Sequence, residues 1–340
     1  MKKVIIIAEV GVNHNGNFNK AKEYIRFCSE MDVDFVKFQT FKTESLVTEE
    51  ALMTDYQKRE LPEFSSQLEM IRNLELSEEQ FLELHQYSNN LGVRFLTTAF
   101  DFESANFVNR LSLDYCKIPS GEITNYPLID ILCLGHEKFI VSTGMATEEE
   151  IEGVINFLNS RGKTDVTLLH CISEYPSPFD EMNLSAIKTL SERFNLPVGL
   201  SDHSLGKHIA IAAVSMGSVI IEKHITLDNL DKGPDHRSSL ILEDFRMMVK
   251  EIRDIEMALG DGLIGVSSSE LKNKELVRKS IVAKSSIAKG DIFTSENLTT
   301  KRPGTGISAV LWYSLLNKKS KKDYRKDEMI SIEEDWNSNN

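Results

Sequence analysis

Residues 199–203 read Gly-Leu-Ser-Asp-His, and residues 219–224 read Val-Ile-Ile-Glu-Lys-His. Each stretch is a short apolar run, typical of a buried strand, and each ends at a histidine, His203 in one case and His224 in the other. Side chains supplied by the carboxyl ends of neighbouring strands are typical of a metal site at the mouth of an α/β barrel. The two stretches therefore predict an enzyme and place its active site at that end of a barrel.

Six further apolar runs precede these two, and longer amphipathic stretches separate them. The predicted strands are Val4–Ala8, Phe35–Phe38, Arg94–Thr98, Tyr115–Ile118, Phe139–Ser142, Val166–His170, Pro197–Ser201 and Val219–His224. The predicted helices include Asn19–Met31, Glu78–Leu91, Thr147–Ser160, Ser185–Phe194, Leu205–Met216 and Leu242–Leu259. Eight alternations over roughly 250 residues indicate a (β/α)8 TIM barrel. Residues 40–75 are too many for a simple loop and predict extra helix over the mouth.

The sequence pattern changes after the barrel. We predict a catalytic barrel domain over residues 1–265, a linker over 266–277 and a small β-rich domain over 278–340. The β-like pieces of this last domain are Arg278–Ala283, Asp291–Thr294 and Met329–Ile332. A domain of about sixty residues is marginally stable alone, so we expect it to pack on a partner surface.

Composition limits the function classes. The net charge of −13 argues against binding to nucleic acid or to a membrane surface. Residues 278–327 hold 12 Lys and Arg against 4 Asp and Glu, a net of +8, whereas the rest of the chain holds 27 against 48, a net of −21. A basic module on an acidic body indicates a cover over an anionic ligand, a dimer contact or simply a solvated face.

Localisation and redox state follow from two further patterns. The chain begins with a strand pattern rather than a signal peptide, and no apolar run approaches the ~20 residues of a membrane span. We therefore predict a soluble, cytoplasmic protein. The four cysteines have no CxxC spacing and lie in or beside apolar runs, which predicts buried free thiols.

Polar residues at the predicted strand ends suggest a phosphate site. A parallel strand is buried on both faces, so a charged side chain at its end must pair or bind something. Two ammonium groups and several hydroxyls would converge on one oxyanion. This set consists of Lys37, Thr98, Lys117, Ser120, Ser142 and Ser201. The alternative for each lysine is a salt bridge with Glu9 or Glu122.

His203 and His224 are the candidate metal ligands. Two imidazoles with carboxylate and water, and without cysteine, suit Mn, Mg, Co or Zn, so the metal stays open. Asp202 is a candidate for orienting an imidazole. Asp235, in a tight turn at residues 233–236, is either a contact to a polyol or only a turn former. Arg302 is presented on a turn of the small domain.

Several segments together resemble the sialic acid synthase family. The matching segments are 8–16 (AEVGVNHNG), 37–40 (KFQT), 117–122 (KIPSGE), 142–145 (STGM), 201–204 (SDHS), 233–236 (GPDH) and 301–306 (KRPGTG). The resemblance covers essentially the whole chain. It implies a (β/α)8 barrel followed by a small antifreeze-like (SAF) domain.

The resemblance also implies an activity. Members of the family condense phosphoenolpyruvate with an N-acetylated hexosamine to a nine-carbon 2-keto acid and release phosphate. They are domain-exchanged homodimers, in which the small domain closes the partner's active site. By resemblance, His203 and His224 bind a divalent metal, for which we expect Mn²⁺ or Mg²⁺. A mechanism in which water adds at C2 then needs a group to take its proton, and Glu9 or Glu122 is the candidate.

The site assignments follow the same resemblance. The phosphoenolpyruvate contacts match Lys37, Thr98, Lys117, Ser120, Ser142 and Ser201. The sugar contacts match Gln39, Tyr175, Asp235 and Arg302, the last from the partner subunit. Ser173 stands where sialic acid makers tend to carry Asn, and Glu174 replaces an apolar residue. These departures leave N-acetylmannosamine and its 2,4-diacetamido-trideoxy analogue, the substrate of N,N′-diacetyllegionaminate synthases, as alternative sugars.

Three other functions compete with this interpretation. One is another phosphoenolpyruvate-aldose condensing enzyme, such as a 3-deoxy-heptulosonate synthase. A second is a Schiff-base aldolase using Lys117. The third is a binding module whose small domain binds ice or glycan, and the basic run at residues 318–326 argues against a flat, weakly charged ice face.

Overall fold

The computed structural model describes residues 3–331, and the described chain divides between Asp261 and Gly262 into two compact units. The first unit contains the eight predicted β/α alternations. The second unit includes residues 266–277, the segment that was predicted to be a linker.

Within residues 3–331, eight parallel strands form the first unit's sheet. They are β1 (Ile5–Gly11), β2 (Phe35–Thr40), β3 (Arg94–Ala99), β4 (Cys116–Ile118), β5 (Lys138–Ser142), β6 (Asp165–Cys171), β7 (Val198–Asp202) and β8 (Ile220–Thr226). Their order in the sheet is β3-β2-β1-β8-β7-β6-β5-β4. The end strands β3 and β4 pack side by side and bring the sheet round on itself. The predicted (β/α)8 barrel is confirmed.

Helices surround the barrel and cover one end of it. They are α1 (Phe18–Ser29), α2 (Thr43–Leu46), α3 (Asp55–Glu60), α4 (Gln67–Arg72), α5 (Glu78–Asn90), α6 (Phe102–Asn109), α7 (Tyr126–Cys133), α8 (Glu148–Ser160), α9 (Ala186–Phe194), α10 (His208–Ser215) and α11 (Leu242–Leu259). The short helices α2, α3 and α4 are the extra helix that the long segment after β2 predicts. A short strand that the sequence did not suggest, β9 (Leu240–Ile241), pairs with the end of β8.

Local sequence explains where the helices begin. Thr147 accepts a hydrogen bond from the backbone of Glu150, whose side chain bonds back to the Thr147 amide, and this capping box starts α8. Ser77 and Gln80 form the same box at α5. Each of these helices buries one face, such as Ile151 and its neighbours in α8, against the strands.

The barrel interior has two layers because strand side chains alternate with a period of two. An apolar layer consists of Ile7, Phe35, Leu96, Ile140, Leu169 and Ile220. Two residues further along the same six strands, a polar layer lines a cavity. It consists of Glu9, Lys37, Thr98, Ser142, Cys171 and Glu222. Packing of the apolar layer therefore holds the strands in place, and the same strands position the polar layer that lines the cavity.

The second unit contains α12 (Ser268–Val277), β10 (Ser280–Ala283), β11 (Leu298–Lys301) and α13 (Trp312–Leu315). Strands β10 and β11 pair antiparallel around a small core that includes Ile281, Phe293 and Tyr324. The predicted strand at Asp291–Thr294 contributes only an isolated bridge, from Ile292 to Lys319. Met329 likewise makes one bridge, and Ile332 lies outside the described residues.

The predicted linker at residues 266–277 contains α12, which Ser267 and Glu270 start with a capping box. All four cysteines of the chain are free and buried, as their spacing predicted. Among residues 3–331, none of the helices has both the length and the apolar composition to cross a membrane.

Candidate active site

A cavity of about 330 Å³ opens where the barrel strands end. The six residues of the predicted phosphate set all line it. Lys117 Nζ donates to Ser142 Oγ over 2.7 Å, and Lys37 Nζ donates to Thr98 Oγ1 over 3.3 Å. Both lysines are almost fully buried. The structure thus brings two ammonium groups and several hydroxyls to one place, a chemistry suited to an anion with several oxygens.

Gly144 lets the backbone approach this set closely. A Cβ at that position would lie 2.7 Å from Ser120 Oγ and 2.3 Å from Ser173 Oγ, closer than carbon and oxygen can approach. The Gly144 amide instead donates to Ser120 Oγ over 3.0 Å. A side chain at position 144 would displace both hydroxyl groups, so the glycine leaves the Ser120 hydroxyl in the site.

Glu222 is a site residue that sequence reasoning missed. Its carboxylate lies 3.6 Å from Lys37 Nζ and 3.7 Å from Lys117 Nζ, and Ser201 Oγ donates to it over 2.9 Å. Burial opposes ionisation of Glu222, but the Lys117 and Lys37 ammonium groups outweigh burial and lower its pKa to about 2. Glu222 is thus the ionised counter-charge between the two lysines.

Glu9 lies beside the same cluster, with a different protonation behaviour. Lys37 Nζ lies 2.9 Å from Glu9 Oε2, and Gln39 Nε2 donates to Glu9 Oε1 over 3.2 Å. Burial, reinforced by the charge of Glu222 and only partly offset by Lys37, raises the pKa of Glu9 to about 7. A carboxyl group with that pKa can take up and return a proton near neutral pH.

Glu122 occupies a different environment. Its carboxylate accepts a hydrogen bond from Asn125 Nδ2 over 2.6 Å, and burial raises its pKa. Glu122 is half-buried and is not among the described residues that line the cavity. Of the two carboxylates predicted to move the proton, Glu9 therefore has the direct access. The salt bridge considered for the lysines forms between Lys37 and Glu9.

The two candidate metal ligands line the cavity on adjacent strands. Their ring centroids lie 5.5 Å apart. His203 Nδ1 donates to the carbonyl oxygen of Ile172 over 2.7 Å, so Nε2 remains for a ligand. His224 Nδ1 is buried without a hydrogen-bond partner among the described residues and lies 4.0 Å from Asp235 Oδ2.

This arrangement fits a metal that has few protein ligands. Burial, followed by the charges of His203 and Lys37, lowers the pKa of His224 well below its ordinary value, so the ring is a neutral donor. Within residues 3–331, no group of three His, Cys, Asp or Glu side chains is close enough together to hold a metal. Two imidazoles can hold a divalent ion that takes its other ligands from substrate and water.

Asp202 does not orient either imidazole, contrary to the role considered for it. Its carboxylate accepts from Lys223 Nζ over 2.7 Å and from the amide and hydroxyl of Ser204. Side chains alternate along β7 and β8, so Asp202 and Lys223 lie on the face opposite to His203 and Glu222. The pair is completely buried and belongs to the barrel's outer packing layer.

Three of the predicted sugar contacts also line the cavity. Tyr175 lies with its ring centroid 4.1 Å from that of His203 and 5.1 Å from that of Tyr56. Burial raises the pKa of Asp235 to about 6. Gln39 is held by Glu9, as described above. Ser173, one of the departures from the sialic acid synthase pattern, lines the same cavity.

The fourth predicted sugar contact, Arg302, lies in the second unit. It is exposed, and its Nε donates to the carbonyl oxygen of Val277 over 3.0 Å. Its guanidinium group is therefore accessible to a ligand or a partner.

An apolar surface on the cavity is a second feature that sequence reasoning missed. We call it the apolar wall, and it consists of Val12, Phe41, Leu46, Met70, Ile71 and Leu74. Most of its members come from the segment that carries α2, α3 and α4. That segment was predicted to cover the mouth, but helices this short leave no clear hydrophobic period from which to identify the inward residues.

Comparisons with known proteins identify the family. A family model described as the NeuB family matches residues 24–263, and a SAF domain model matches residues 278–334. The chain belongs to the NeuB family. The family membership that the motifs predicted is confirmed. The prediction that the chain is an enzyme, a synthase of the sialic acid type, is confirmed with it. The predicted antifreeze-like domain is confirmed as well.

Curated relatives of this NeuB family member are similar over almost their whole length. The N,N′-diacetyllegionaminic acid synthase of Campylobacter jejuni is 47% identical over 97% of this chain and 99% of its own. The enzyme of the same name from Legionella pneumophila is 43% identical over 89% and 86%. A solved structure, the N-acetylneuraminic acid synthetase of Leptospira borgpetersenii in complex with citrate, superposes with a TM-score of 0.70 at 30% identity, covering 80% of this chain and 90% of the other.

Proposed function

We propose that this protein condenses phosphoenolpyruvate with the 2,4-diacetamido-2,4,6-trideoxy analogue of N-acetylmannosamine, giving N,N′-diacetyllegionaminate and phosphate. The observation that carries the chemistry is the pair Lys37 and Lys117, buried with hydroxyl partners around an ionised Glu222. The names of the two relatives at 47% and 43% identity support this sugar over N-acetylmannosamine.

The proposed reaction forms a carbon–carbon bond and a bond from C2 to the oxygen of water, and it breaks the bond from C2 to the phosphate oxygen. C3 of phosphoenolpyruvate attacks the sugar aldehyde, water adds at C2, and phosphate leaves from C2 to give the keto group. Lys37 and Lys117 hold the phosphate and stabilise the charge that develops on it as it departs. Glu9, with its pKa near 7, accepts one proton of the water, and that proton is returned to the former aldehyde oxygen, which becomes a hydroxyl group. The second proton of the water leaves with the phosphate.

His203 and His224 would hold the divalent metal, which we propose to be Mn²⁺ or Mg²⁺. When bound, it supplies Lewis-acid polarisation of the sugar's aldehyde oxygen. The protein's own part is to fix the ligands before the substrate arrives. The bond from His203 Nδ1 to Ile172 sets the tautomer, and packing against Tyr175 holds the ring.

We further propose that the protein works as a homodimer in which Arg302 of one subunit reaches the sugar in the other. The exposed guanidinium group and the excess positive charge of residues 278–327 support this role, because the barrel is acidic and its substrates are anionic or polar.

The test is mass spectrometry of the products formed with Mn²⁺ or Mg²⁺ from phosphoenolpyruvate and each of three acceptors. These are the diacetamido-trideoxy sugar, N-acetylmannosamine and erythrose 4-phosphate. We expect a nine-carbon diacetamido keto acid, with phosphate released in equal amount. Turnover of erythrose 4-phosphate alone would contradict the proposal and indicate a heptulosonate synthase. A borohydride-trapped adduct on Lys117 would indicate a Schiff-base aldolase instead.

A further inference from the structure

The cavity has two chemically different halves, and the polar side chains of Thr54, Tyr56 and Gln57 also line it. One half is the strand-end layer with two lysines, two carboxylates and the candidate metal ligands. The other is the apolar wall, in which Met70, Ile71 and Leu74 are each at most 8% exposed. Nothing in the reaction at the aldehyde requires an apolar surface, so the wall calls for a separate explanation.

The wall has a fixed shape because it has its own core. Met70, Ile71, Leu74, Phe41 and Val12 belong to a cluster that the segment between β2 and α5 forms with the barrel mouth. Met53 and Leu61 belong to the same cluster but are not among the described residues that line the cavity. The cluster thus has members that face the cavity and members that only support them.

The position of the reacting atoms determines which end of the sugar meets this wall. The aldehyde carbon must lie beside phosphoenolpyruvate and the candidate metal ligands, at the charged half of the cavity. An open-chain hexose extends about 6 Å from C1 to C6, since each carbon–carbon bond is about 1.5 Å long. In the proposed reaction, the phosphate and carboxylate of phosphoenolpyruvate occupy the charged half. The C4–C6 end of the sugar is therefore left to the other half.

We infer that the apolar wall is the subsite for the C4–C6 end of the sugar and that it selects a 6-deoxy sugar with an acylated amine at C4. The C6 methyl and the acetamido methyl offer apolar surface to Met70, Ile71 and Leu74. Against these three side chains, a hydroxyl group at C6 would lose water without gaining a partner. This inference rests on the proposed function and adds to it the residues that set the sugar preference.

Discrimination by such a pocket has a known scale. A methyl group gained, or a hydroxyl group placed against apolar side chains, changes kcat/KM by roughly tenfold to hundredfold. We expect the wild-type protein to prefer the diacetamido-trideoxy sugar over N-acetylmannosamine by a factor in this range. The preference should lie mostly in KM for the sugar, because the contacts are remote from the reacting carbon.

The decisive variant is Met70→Gln, which keeps the length of the side chain and makes it polar. Met70→Gln should reduce the preference between the two sugars at least tenfold and leave KM for phosphoenolpyruvate unchanged. Met53→Gln is the matched control, since it makes the same change in the same cluster away from the cavity. It should lower the melting temperature comparably while keeping the sugar preference of the wild type. An equal loss for both sugars in Met70→Gln, or the same shift in Met53→Gln, would overturn the inference.

A binding measurement on the wild type covers the case in which both variants fail to fold. The two sugars reduced to their alditols cannot react and serve as inhibitors. The diacetamido-trideoxy alditol should bind at least tenfold more tightly than the alditol of N-acetylmannosamine. Equal affinities would refute the role of the wall even if condensation with phosphoenolpyruvate is found. Failure of wild-type protein to condense either sugar would refute the proposed function itself.

Discussion

His203 Nδ1 donates a hydrogen bond to the carbonyl oxygen of Ile172 over 2.7 Å. A carbonyl oxygen can only accept, so Nδ1 carries a proton, and Nε2 is the ring nitrogen that would bind a metal once it has no proton of its own. Donation from the remote nitrogen also fixes the ring plane and makes the free nitrogen a better donor to a cation. The backbone after β6 therefore prepares a ligand that extends from β7.

Removal of either imidazole should abolish binding of the metal. We expect His203→Ala and His224→Ala to bind Mn²⁺ at least a hundredfold more weakly by titration calorimetry and to lose turnover while keeping the wild-type circular dichroism spectrum. His208→Ala, which removes an exposed imidazole, is the control and should bind as the wild type does. Full activity of the wild-type protein in excess chelator would contradict a metal requirement.

Lys117 should act mainly on phosphoenolpyruvate. Lys117→Gln removes a charge-assisted contact worth about 1.5–3 kcal/mol, so KM for phosphoenolpyruvate should rise at least tenfold. KM for the sugar should change much less. Lys138→Gln alters an exposed lysine at the start of β5 and should leave both constants unchanged. A phosphoenolpyruvate KM equal to that of the wild type would show that the lysine cluster serves another purpose.

Glu9 and Glu122 should differ in their contribution to turnover. Glu9→Gln keeps the shape of a cavity-lining side chain and removes its proton-accepting capacity, so kcat should fall at least a hundredfold. Glu122→Gln should lower kcat less, because the Glu122 carboxylate already accepts a hydrogen bond from Asn125. Steady-state kinetics over pH 6–9 on both variants tests the order. A larger loss in the Glu122 variant would assign the proton transfer to Glu122.

His14 should make the protein less stable in mild acid. Burial, assisted by the charge of His236, lowers its pKa from 6.5 to about 4, and its Nδ1 accepts the amide of Gly16. Between pH 6.5 and 4, His14 is protonated in the unfolded chain but stays neutral in the folded chain. The free energy of unfolding therefore falls between pH 6.5 and 4, by about 3 kcal/mol for this one group.

Urea unfolding of the wild type and of His14→Gln at several pH values measures this contribution. The variant should show a shallower decline between pH 6.5 and 4, because glutamine cannot take up the proton. His208→Gln is the control and should decline as the wild type does. Parallel curves for His14→Gln and the wild type would mean that other groups dominate the acid sensitivity.

Arg302 should complement a defect in another subunit. Separately inactive His203→Ala and Arg302→Ala proteins, mixed after dissociation and reassociation, should recover part of the activity, since one site in each heterodimer has both residues intact. Lys301→Ala replaces a neighbouring exposed cation that pairs with Asp327 and should keep its own activity. A mixture that stays inactive despite proven subunit exchange would mean that Arg302 acts within its own chain or not at all.

The strands and most strand-end residues could be predicted because they follow one repeating pattern. Glu222 was missed because it lies between an apolar run and Lys223, and a charged side chain in that position is easily taken to be exposed to solvent. The period of two offered a signal, since Glu222 precedes His224 by two residues, just as Ser201 precedes His203.

The segment between β2 and α5 was harder to predict. Its helices are four to six residues long, and tertiary contacts rather than a local period decide which side chains turn inward. The helix α12 had a clear signal in Ser267 and Glu270, the capping-box pair, but the Gly- and Ser-rich run before it favoured a linker. A capping box that starts a helix can thus be overlooked when a Gly- and Ser-rich segment precedes it.

Successive side chains of β8 point to opposite faces of the sheet, so the number of residues in this strand determines which of them face the cavity. Glu222 and His224 face the cavity, and Lys223 between them pairs with Asp202 behind the sheet. Deleting one residue early in this strand would point Lys223 into the cavity. Glu222 and His224 would then point outward, toward the surrounding helices. A substitution in this strand therefore changes one side chain, whereas an insertion or deletion within it would exchange the inward and outward faces of every residue that follows.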